Sequence, residues 1–185
     1  MNYEELKSKH PELVEDVLSE YRDVNVDCEW YEFIIENFTT EAEKIGFDID
    51  PDNVSFSGFW NQGDGASFTG TVDMLDFLKS EKLLSKYSKA VNAMRNNKVD
   101  ELVSIVRTSN HYFHSNTCAT DDIQVYYGIT PATEDELEEI HSLIEDKRVE
   151  LCESLFKELE ESYECLTSDE AVEEFLLTND IDVEV

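Results

Sequence analysis

The sequence is poor in basic residues, and this shortage excludes several classes of partner. Only 14 Lys and Arg oppose 44 Asp and Glu among 185 residues, which leaves a formal net charge of −30. Because DNA, RNA and anionic lipid surfaces would repel such a chain, we expect it to bind neither nucleic acid nor membrane directly. The partners that its charge favours are cations and basic protein surfaces.

Proline and glycine are also scarce, with three and six residues respectively. A fibrous or low-complexity architecture would need far more of both. Hydrophobic residues make up 41% of the chain and aromatic residues 11%, which is enough to build a buried core. From this length and composition we expect one folded domain over residues 1–185.

Long apolar runs and paired cysteine motifs are missing. No uncharged apolar stretch approaches the roughly 20 residues that cross a bilayer, and the acidic N-terminus has no apolar run of signal-peptide length. The four cysteines, Cys28, Cys118, Cys152 and Cys165, are widely spaced and include no CxxC pair. We therefore expect buried thiols rather than disulfides, and a cytoplasmic protein.

Hydrophobic periodicity predicts helices in the N-terminal quarter of the chain. Residues 2–21 carry apolar side chains at helical spacing, with an interruption expected at Pro11. A second helix is expected from about Trp30 to Ile45. Gly46 is well placed to end it, because glycine adopts the left-handed conformation that commonly follows a helix.

Alternation of apolar and polar residues predicts strands in the middle of the chain. Residues 54–72 alternate on both sides of the glycine-rich turn NQGDG, which predicts a β-hairpin with one buried face. Phe59 falls on the opposite face, where a large apolar side chain needs cover or a partner. Two more alternating segments predict strands at 111–118 and 123–127.

Helices are also predicted in the second half of the chain, two of them at 73–93 and 98–107. Thr133 is expected to cap a long helix, with Glu136 at the capping-box position. Its apolar stripe consists of Leu137, Ile140, Ile144, Leu151, Leu155, Leu159 and Leu166. Ser168 is expected to cap a short last helix. Together with about four strands, these helices predict an α+β fold with a small antiparallel sheet and a long acidic C-terminal helix.

The acidic excess is distributed unevenly. Residues 1–46 carry a net charge of −9, residues 47–110 carry −2, and residues 111–185 carry −19. A general solubility device would spread the charge over the whole surface. Here, in contrast, the hairpin region is close to neutral, and the acidity belongs mainly to the C-terminal helices.

The long helix tolerates strong repulsion among its own side chains. Twelve acids lie away from the predicted apolar stripe, and only Lys147, Arg148 and Lys157 relieve them. From Glu134 onward the net charge is −17, the charge of roughly 29 Å of B-DNA at one charge per ~1.7 Å. A helix of about 33 residues is roughly 50 Å long, so its charge density is about half that of DNA.

This density indicates a protein that imitates nucleic acid, although an acidic face with no partner is the simpler alternative. If a partner binds, we expect it to contact the helix and the hairpin. The acids expected to contact it are Glu138, Asp146, Glu150, Glu153, Glu158 and Glu161. The hairpin residues expected to contact it are Phe59, Trp60 and Asp64.

Two groups of residues could form a metal site or a catalytic site, but the sequence supports neither strongly. His111, His114 and Cys118 have a spacing that could suggest zinc, but in a strand the two histidines point to opposite faces. A nucleophilic set of Cys118, His114 and Asp121 lacks any oxyanion or elbow signature. We therefore expect no metal, no cofactor and no enzymatic activity.

Three motifs connect the chain with other proteins. The sequence WYEF stands at 30–33, KIG at 44–46 and FSGFWNQGDGASFTG at 56–70. This segment resembles a group of small acidic proteins carried by bacteriophages and mobile elements, some of them labelled antitoxin-like. The resemblance implies a phage or mobile-element origin and no particular activity.

The leading hypothesis is therefore a phage-type inhibitor that mimics nucleic acid. It would bind the basic DNA- or RNA-binding surface of a host defence or DNA-processing protein in the host cytoplasm. The alternative hypothesis is an antitoxin-like regulator that binds its partner through the hairpin and the aromatic surface. A homodimer is left open.

Overall fold

Residues 1–183, the part of the chain that the computed structural model describes, contain seven α-helices and six short β-strands. The helices are α1 (Tyr3–Lys9), α2 (Val14–Glu20), α3 (Glu32–Glu43), α4 (Met74–Ser80), α5 (Ser88–Arg95), α6 (Pro131–Leu166) and α7 (Asp169–Thr178). The strands are β1 (Phe47–Asp48), β2 (Val54–Phe56), β3 (Ala66–Phe68), β4 (Gly70–Asp73), β5 (Leu102–Arg107) and β6 (Cys118–Thr120). The predicted α+β fold with a small antiparallel sheet and a long C-terminal helix is confirmed.

Packing divides the described chain into two compact units. The first contains Met1–Phe33 and the segment from Glu158 onward, and the second contains Ile34–Lys157. The boundary therefore falls within α6. The single domain expected from the length of the chain stays a prediction.

The first unit has a core of its own, formed by α1, α2 and α7. Its buried side chains are Tyr3, Leu6, Val17, Leu18, Val172, Leu176 and Val183. A 3₁₀ turn that begins at Pro11 separates α1 from α2, as predicted. Ser168 Oγ accepts the backbone N–H of Ala171 at 3.2 Å, which confirms the predicted cap of α7.

The second unit contains a four-stranded sheet in the order β1-β4-β5-β6, with all neighbours antiparallel. Its strand β5 occupies residues where we predicted a helix at 98–107, so that prediction is wrong. Val103 and Ile105 are buried, whereas Ser104 between them is exposed, as strand alternation requires. A short run of β-branched residues is compatible with either a helix or a strand, and the backbone pairing with β4 and β6 makes this segment a strand.

The predicted hairpin over 54–72 is shorter than expected. Only β2 and β3 pair with each other, and the chain then passes into the four-stranded sheet as β4. At this point a Cβ on Gly70 would lie 2.3 Å from the carbonyl oxygen of Asp48 in β1. The missing side chain of Gly70 therefore permits the close approach through which β4 pairs with β1.

The expectation of one buried hairpin face is also wrong. Ala66, Ser67 and Phe68 are all buried, although alternation placed Ser67 on the solvent face. Arg107 of β5 lies over the hairpin, and its Nη2 donates to Ser55 Oγ at 3.1 Å. Tertiary packing therefore covers both faces of β3, which local alternation does not reveal.

The strand predicted at 111–118 is wrong in its position. The observed strand β6 begins only at Cys118, after a 3₁₀ turn at Ser115–Thr117. His114 caps this turn, because its Nδ1 accepts the backbone N–H of Asn116 at 3.1 Å. A side chain that satisfies the backbone locally competes with extended pairing.

The strand predicted at 123–127 is absent, and the segment adds only one isolated backbone bridge. The backbone N–H groups of Tyr126 and Tyr127 both donate to the carbonyl of Lys98, at 2.8 and 3.3 Å. Successive residues of a strand point their N–H groups in opposite directions, so this pattern excludes a ladder here.

The long helix α6 is confirmed, but it begins at Pro131 rather than after the predicted Thr133 cap. Proline suits a first helical position, because the N–H that it lacks would be unpaired there. Glu136 forms no capping box. Its carboxylate instead accepts the backbone N–H groups of Lys89 and Ala90, at 2.9 and 3.0 Å, and so caps α5. Within residues 1–183 no helix, α6 included, is both long and apolar enough to cross a bilayer.

The helix predicted at 73–93 is divided into α4 and α5. Lys82 adopts a φ of 60°, and the backbone N–H of Leu83 donates to the carbonyl of Leu78 at 2.7 Å. A left-handed residue with this bond is a common way to end a helix. The sequence has no glycine or asparagine at that position to signal it.

Gly46 ends α3 as predicted, and its replacement tests the packing behind it. Its φ is 88°, and a Cβ would lie 2.7 Å from the backbone nitrogen of Phe77 and 2.8 Å from the carbonyl oxygen of Asp73. We expect Gly46→Ala to lower the free energy of unfolding by about 3 kcal/mol, because alanine is strained at this φ and the contacts are with backbone. Urea unfolding followed by circular dichroism measures the change.

Gly128→Ala is the matched control, since a Cβ at Gly128 meets nothing within 4 Å. We expect its free energy of unfolding to stay within about 0.5 kcal/mol of the wild type. Equal losses in the two variants would contradict the close packing around Gly46.

Candidate functional site

The six acids of the long helix that were expected to contact a partner all lie on α6 and are exposed. Glu138, Asp146, Glu150 and Glu153 belong to the second unit, and Glu158 and Glu161 belong to the first. The helical period places Asp146, Glu150 and Glu153 opposite the buried side chains of the same turns. The predicted exposure is therefore observed for these residues.

Within the second unit, five exposed acids lie on the side of α6 opposite its buried side chains, and we call them the outer acidic face. They are Asp135, Glu139, Asp146, Glu150 and Glu153. These positions span roughly 27 Å, so the face has one acid per roughly 5 Å, against one charge per 3.4 Å along a single DNA strand.

Two lysines reduce the charge of this face further. Lys86 Nζ lies 3.3 Å from Glu139 Oε2, and Lys147 Nζ lies 3.0 Å from Glu150 Oε1. Lys86 and Glu139 are each 59% exposed and Glu150 is 68% exposed, although Lys147 is 24% exposed, so the attraction between these charges is weak and salt-sensitive. The face is thus less dense in charge than the count over the whole helix indicates.

The hairpin residues occupy different environments. The Phe59 ring stacks on Phe156 of α6, with centroids 5.5 Å apart, so this side chain has the cover that its position required. Trp60 packs edge-on against Phe59 and remains 69% exposed. Asp64 is half-buried, and its Oδ2 accepts the backbone N–H of Asn61 at 2.6 Å, which holds the turn.

A cavity of about 660 Å³ lies between the hairpin turn and α6 in the second unit. Its lining residues are Gln62, Gly63, Asp64, Gly65, Ala66, Tyr112, His114, Ser115, Cys152, Glu153 and Phe156. The cavity brings together Asp64 and Glu153, which we had expected at a partner surface. It also contains Cys152, which sequence reasoning did not select.

Arg148 is the largest fully buried side chain of the described residues, and it joins α6 to the turn before β6. Its side chain is 2% exposed. Its Nε donates to Glu145 Oε2 at 2.9 Å, and its Nη2 forms a second, shorter bond to Glu145 Oε1. Its Nη1 donates to the carbonyl of Ser115 at 2.6 Å. The cation is therefore matched by a bidentate carboxylate and a carbonyl.

Glu145 is one of the twelve acids expected away from the apolar stripe of α6, but it turns toward the sheet. Its Oε2 accepts the backbone N–H and the hydroxyl of Thr120, at 3.1 and 3.0 Å. The hydrogen bonds from Arg148, followed by those from Thr120, lower the pKa of Glu145 to about 2, although partial burial opposes them.

Two cysteines complete this cluster. Cys118 Sγ lies 3.0 Å from Arg148 Nη1 and 3.9 Å from Cys152 Sγ. The hydrogen bond from Cys152 and then the charge of Arg148 lower the pKa of Cys118, although burial opposes them. The same bond raises the pKa of Cys152. Arg148 Nη1 lies 3.0 Å from Cys118 Sγ and 4.0 Å from Cys152 Sγ, so the cation favours a negative charge on Cys118 over one on Cys152.

The sequence contained one signal for this cluster. The apolar stripe of α6 runs at spacings of three and four but has two gaps of seven residues, one between Ile144 and Leu151 and one between Leu159 and Leu166. Continuing the spacing from Ile144 places Arg148 and Cys152 on the buried side. An arginine at a core position indicates a buried ion pair, and Glu145 stands three residues before it.

The residues considered for metal binding do not converge. His111 is exposed, His114 caps the turn before β6, and Cys118 contacts Arg148 and Cys152. No group of three or more His, Cys, Asp or Glu side chains in residues 1–183 is arranged to hold a metal ion.

Comparison with known proteins identifies the family. Residues 30–169 match the family model of a domain of unknown function, DUF8835, and the chain belongs to this family. The match begins at Trp30 and includes the whole second unit. No curated protein matches the chain, and no solved structure matches it.

The pairing of Glu145 with Arg148 predicts a pH-dependent loss of stability. A carboxylate whose pKa is lowered in the folded state stabilises the fold above its unfolded pKa of about 4.3 and loses that effect as pH falls toward 2. We expect Glu145→Gln to lower the free energy of unfolding by about 2 kcal/mol at pH 7, a figure reduced because Glu145 is 34% exposed. Its difference from the wild type should shrink between pH 5 and pH 2.

Asp146→Asn is the control, since it removes the same charge from the exposed neighbour. We expect a change within about 0.5 kcal/mol at pH 7. Urea unfolding at several pH values measures both variants, and a Glu145→Gln loss that does not depend on pH would contradict the ion pair.

Proposed function

We propose that this protein inhibits a nucleic-acid-binding protein by binding its basic surface through the outer acidic face. The observation that carries this proposal is the exposure of Asp146, Glu150 and Glu153 on one side of a rigid helix. A helix fixes the spacing of these carboxylates, so a partner with matching Lys and Arg side chains gains several ion pairs without ordering a flexible loop.

Long-range attraction supports the same function. A net charge of −30 concentrated toward the C-terminal helices attracts a basic partner and repels nucleic acid and other acidic proteins. Such attraction raises the association rate more than it lowers the dissociation rate. A protein that must intercept its target before nucleic acid does would benefit from a fast association.

Nucleic-acid mimicry is the finer form of this proposal. The outer acidic face alone has a lower charge density than a DNA strand, so the ion pairs on it must be supplemented by other contacts. The cavity and the exposed Trp60 both belong to the second unit, as the outer acidic face does, and they offer such contacts. The resemblance to phage and mobile-element proteins supports a host defence or DNA-processing target in the host cytoplasm.

Reversal of the charges tests the proposal. We expect the triple variant Asp146→Lys, Glu150→Lys, Glu153→Lys to bind the target about 100-fold more weakly or worse, since three attractions become repulsions. Immobilised wild-type protein is exposed to host lysate at 50 and 500 mM salt, and duplex DNA is then added as a competitor. A nucleic-acid-binding protein retained at low salt and released by the DNA is the expected result.

The control carries the same change in charge elsewhere. Glu15→Lys, Glu36→Lys and Glu43→Lys replace three exposed acids on α2 and α3. We expect this control to keep most of the binding. If the control and the α6 variant lose binding equally, total charge rather than the outer acidic face is responsible. Capture that DNA does not reverse would contradict mimicry.

The exposed aromatic side chain at the hairpin favours a second candidate, an antitoxin-like regulator. Trp60 is 69% exposed, and aromatic residues of this size often dominate protein interfaces. If the hairpin carries the binding, Trp60→Ala should weaken it by about 30-fold or more. In that case the binding of the wild-type protein should also persist at 500 mM salt. Tyr127→Ala, at a side chain 67% exposed, is the matched aromatic control.

A further inference from the structure

The cluster around Arg148 has a feature that partner binding does not use. Two sulfurs lie 3.9 Å apart, and a buried cation contacts one of them at 3.0 Å. Packing alone does not require a charged donor beside a thiol, because a buried cysteine behaves as a small apolar side chain. A fixed positive charge next to a cysteine is the usual means of keeping it as the reactive thiolate.

The pair is also within reach of small molecules. Cys118 and Cys152 are only 2% and 1% exposed, which excludes large reagents. Cys152 nevertheless lines the cavity of about 660 Å³, which is roomy enough for water and for molecules of similar size. Hydrogen peroxide is of that size, so the cavity brings it to Cys152, whose Sγ lies 3.9 Å from Cys118 Sγ.

We propose that Cys118 and Cys152 form a peroxide-reactive dithiol that closes to a reversible disulfide. This inference does not depend on the proposed partner binding. The Cys118 thiolate attacks one oxygen of hydrogen peroxide: an S–O bond forms, the O–O bond breaks, and hydroxide leaves and takes up a proton as water. Cys118 is then a sulfenic acid.

The second step joins the two sulfurs. Cys152 attacks Cys118 Sγ, the S–S bond forms, the S–O bond breaks, and hydroxide leaves with the proton from Cys152 as a second water. Two electrons pass from the two thiols to the peroxide. For the disulfide to form, the two sulfurs must approach from 3.9 Å to about 2.05 Å. Rotation of the two side chains supplies part of this movement, and a slight shift of α6 and β6 supplies the rest.

Arg148 is the positioning residue of this reaction. It touches Cys118 and orients it toward Cys152, while Glu145 and the Ser115 carbonyl hold the guanidinium in place. Removing the charge should reduce the thiolate fraction and slow the first step. Lysine at the same position should restore part of the rate, whereas an uncharged side chain of similar length should not.

Mass spectrometry of the peroxide-treated full chain tests the proposal. Cys28 and Cys165 are exposed thiols, so the experiment uses the variant Cys28→Ser, Cys165→Ser. We expect the loss of two hydrogens, reversed by dithiothreitol. Trypsin should then yield the peptide 108–147 linked to the peptide 149–157. A chain that stays fully reduced, or that forms sulfinic acid without the linked peptides, would overturn the proposal.

Single replacements in the same background identify the attacking sulfur. Cys152→Ser should still react and leave a sulfenic acid on Cys118, which dimedone traps when the peroxide-treated protein is unfolded in its presence. Cys118→Ser should react at least tenfold more slowly, and equal rates for the two variants would contradict the assignment of the thiolate.

Arg148 variants test the positioning role in the same background. Arg148→Met should form the disulfide about tenfold more slowly at pH 7, and Arg148→Lys should recover part of that loss. Circular dichroism establishes that each variant is folded at the temperature of the assay. An unchanged rate in a folded Arg148→Met variant would overturn this role. If that variant does not fold, the comparison of the two cysteine variants still decides the proposal.

Discussion

The buried guanidinium of Arg148 is the interaction on which the arrangement around α6 depends in the second unit. A permanent cation inside a protein is costly unless it is paired and hydrogen-bonded, so its partners must be placed around it together. Glu145, the Ser115 carbonyl and the Cys118 sulfur meet this requirement from α6, from the turn before β6 and from β6 itself. Because Arg148 must face inward, the acids on the opposite side of the same turns must face solvent.

The inner and outer sides of α6 therefore have separate chemistry on one element. The outer acidic face carries the carboxylates of the proposed partner contact, and the inner side places a buried guanidinium beside two cysteine sulfurs. Glu153 and Cys152 are neighbours in sequence and both line the cavity between the hairpin turn and α6. Both sides lie within residues 30–169, the part that matches the family of unknown function.

Local signals made much of the helical structure predictable from sequence. The 3.6-residue period predicted α6 and the exposure of its acids, and single residues such as Gly46 and Ser168 marked helix ends correctly. The strands were harder, because pairing between distant segments decided them. Gly70 sends the chain from the hairpin to a second sheet, and β5 is a strand only through its neighbours. Arg148 was counted among the bases that relieve the surface charge, although its place in the apolar stripe indicated burial.

The proposed dithiol requires Arg148 to hold Cys118 as a thiolate. The most direct measurement is the ultraviolet absorbance of the thiolate near 240 nm, followed by pH titration of the reduced protein without Cys28 and Cys165. We expect one thiolate to appear well below the ordinary cysteine pKa of about 8.5, and we expect this early step to disappear in Cys118→Ser. A titration in which no thiolate forms before pH 8 would contradict it.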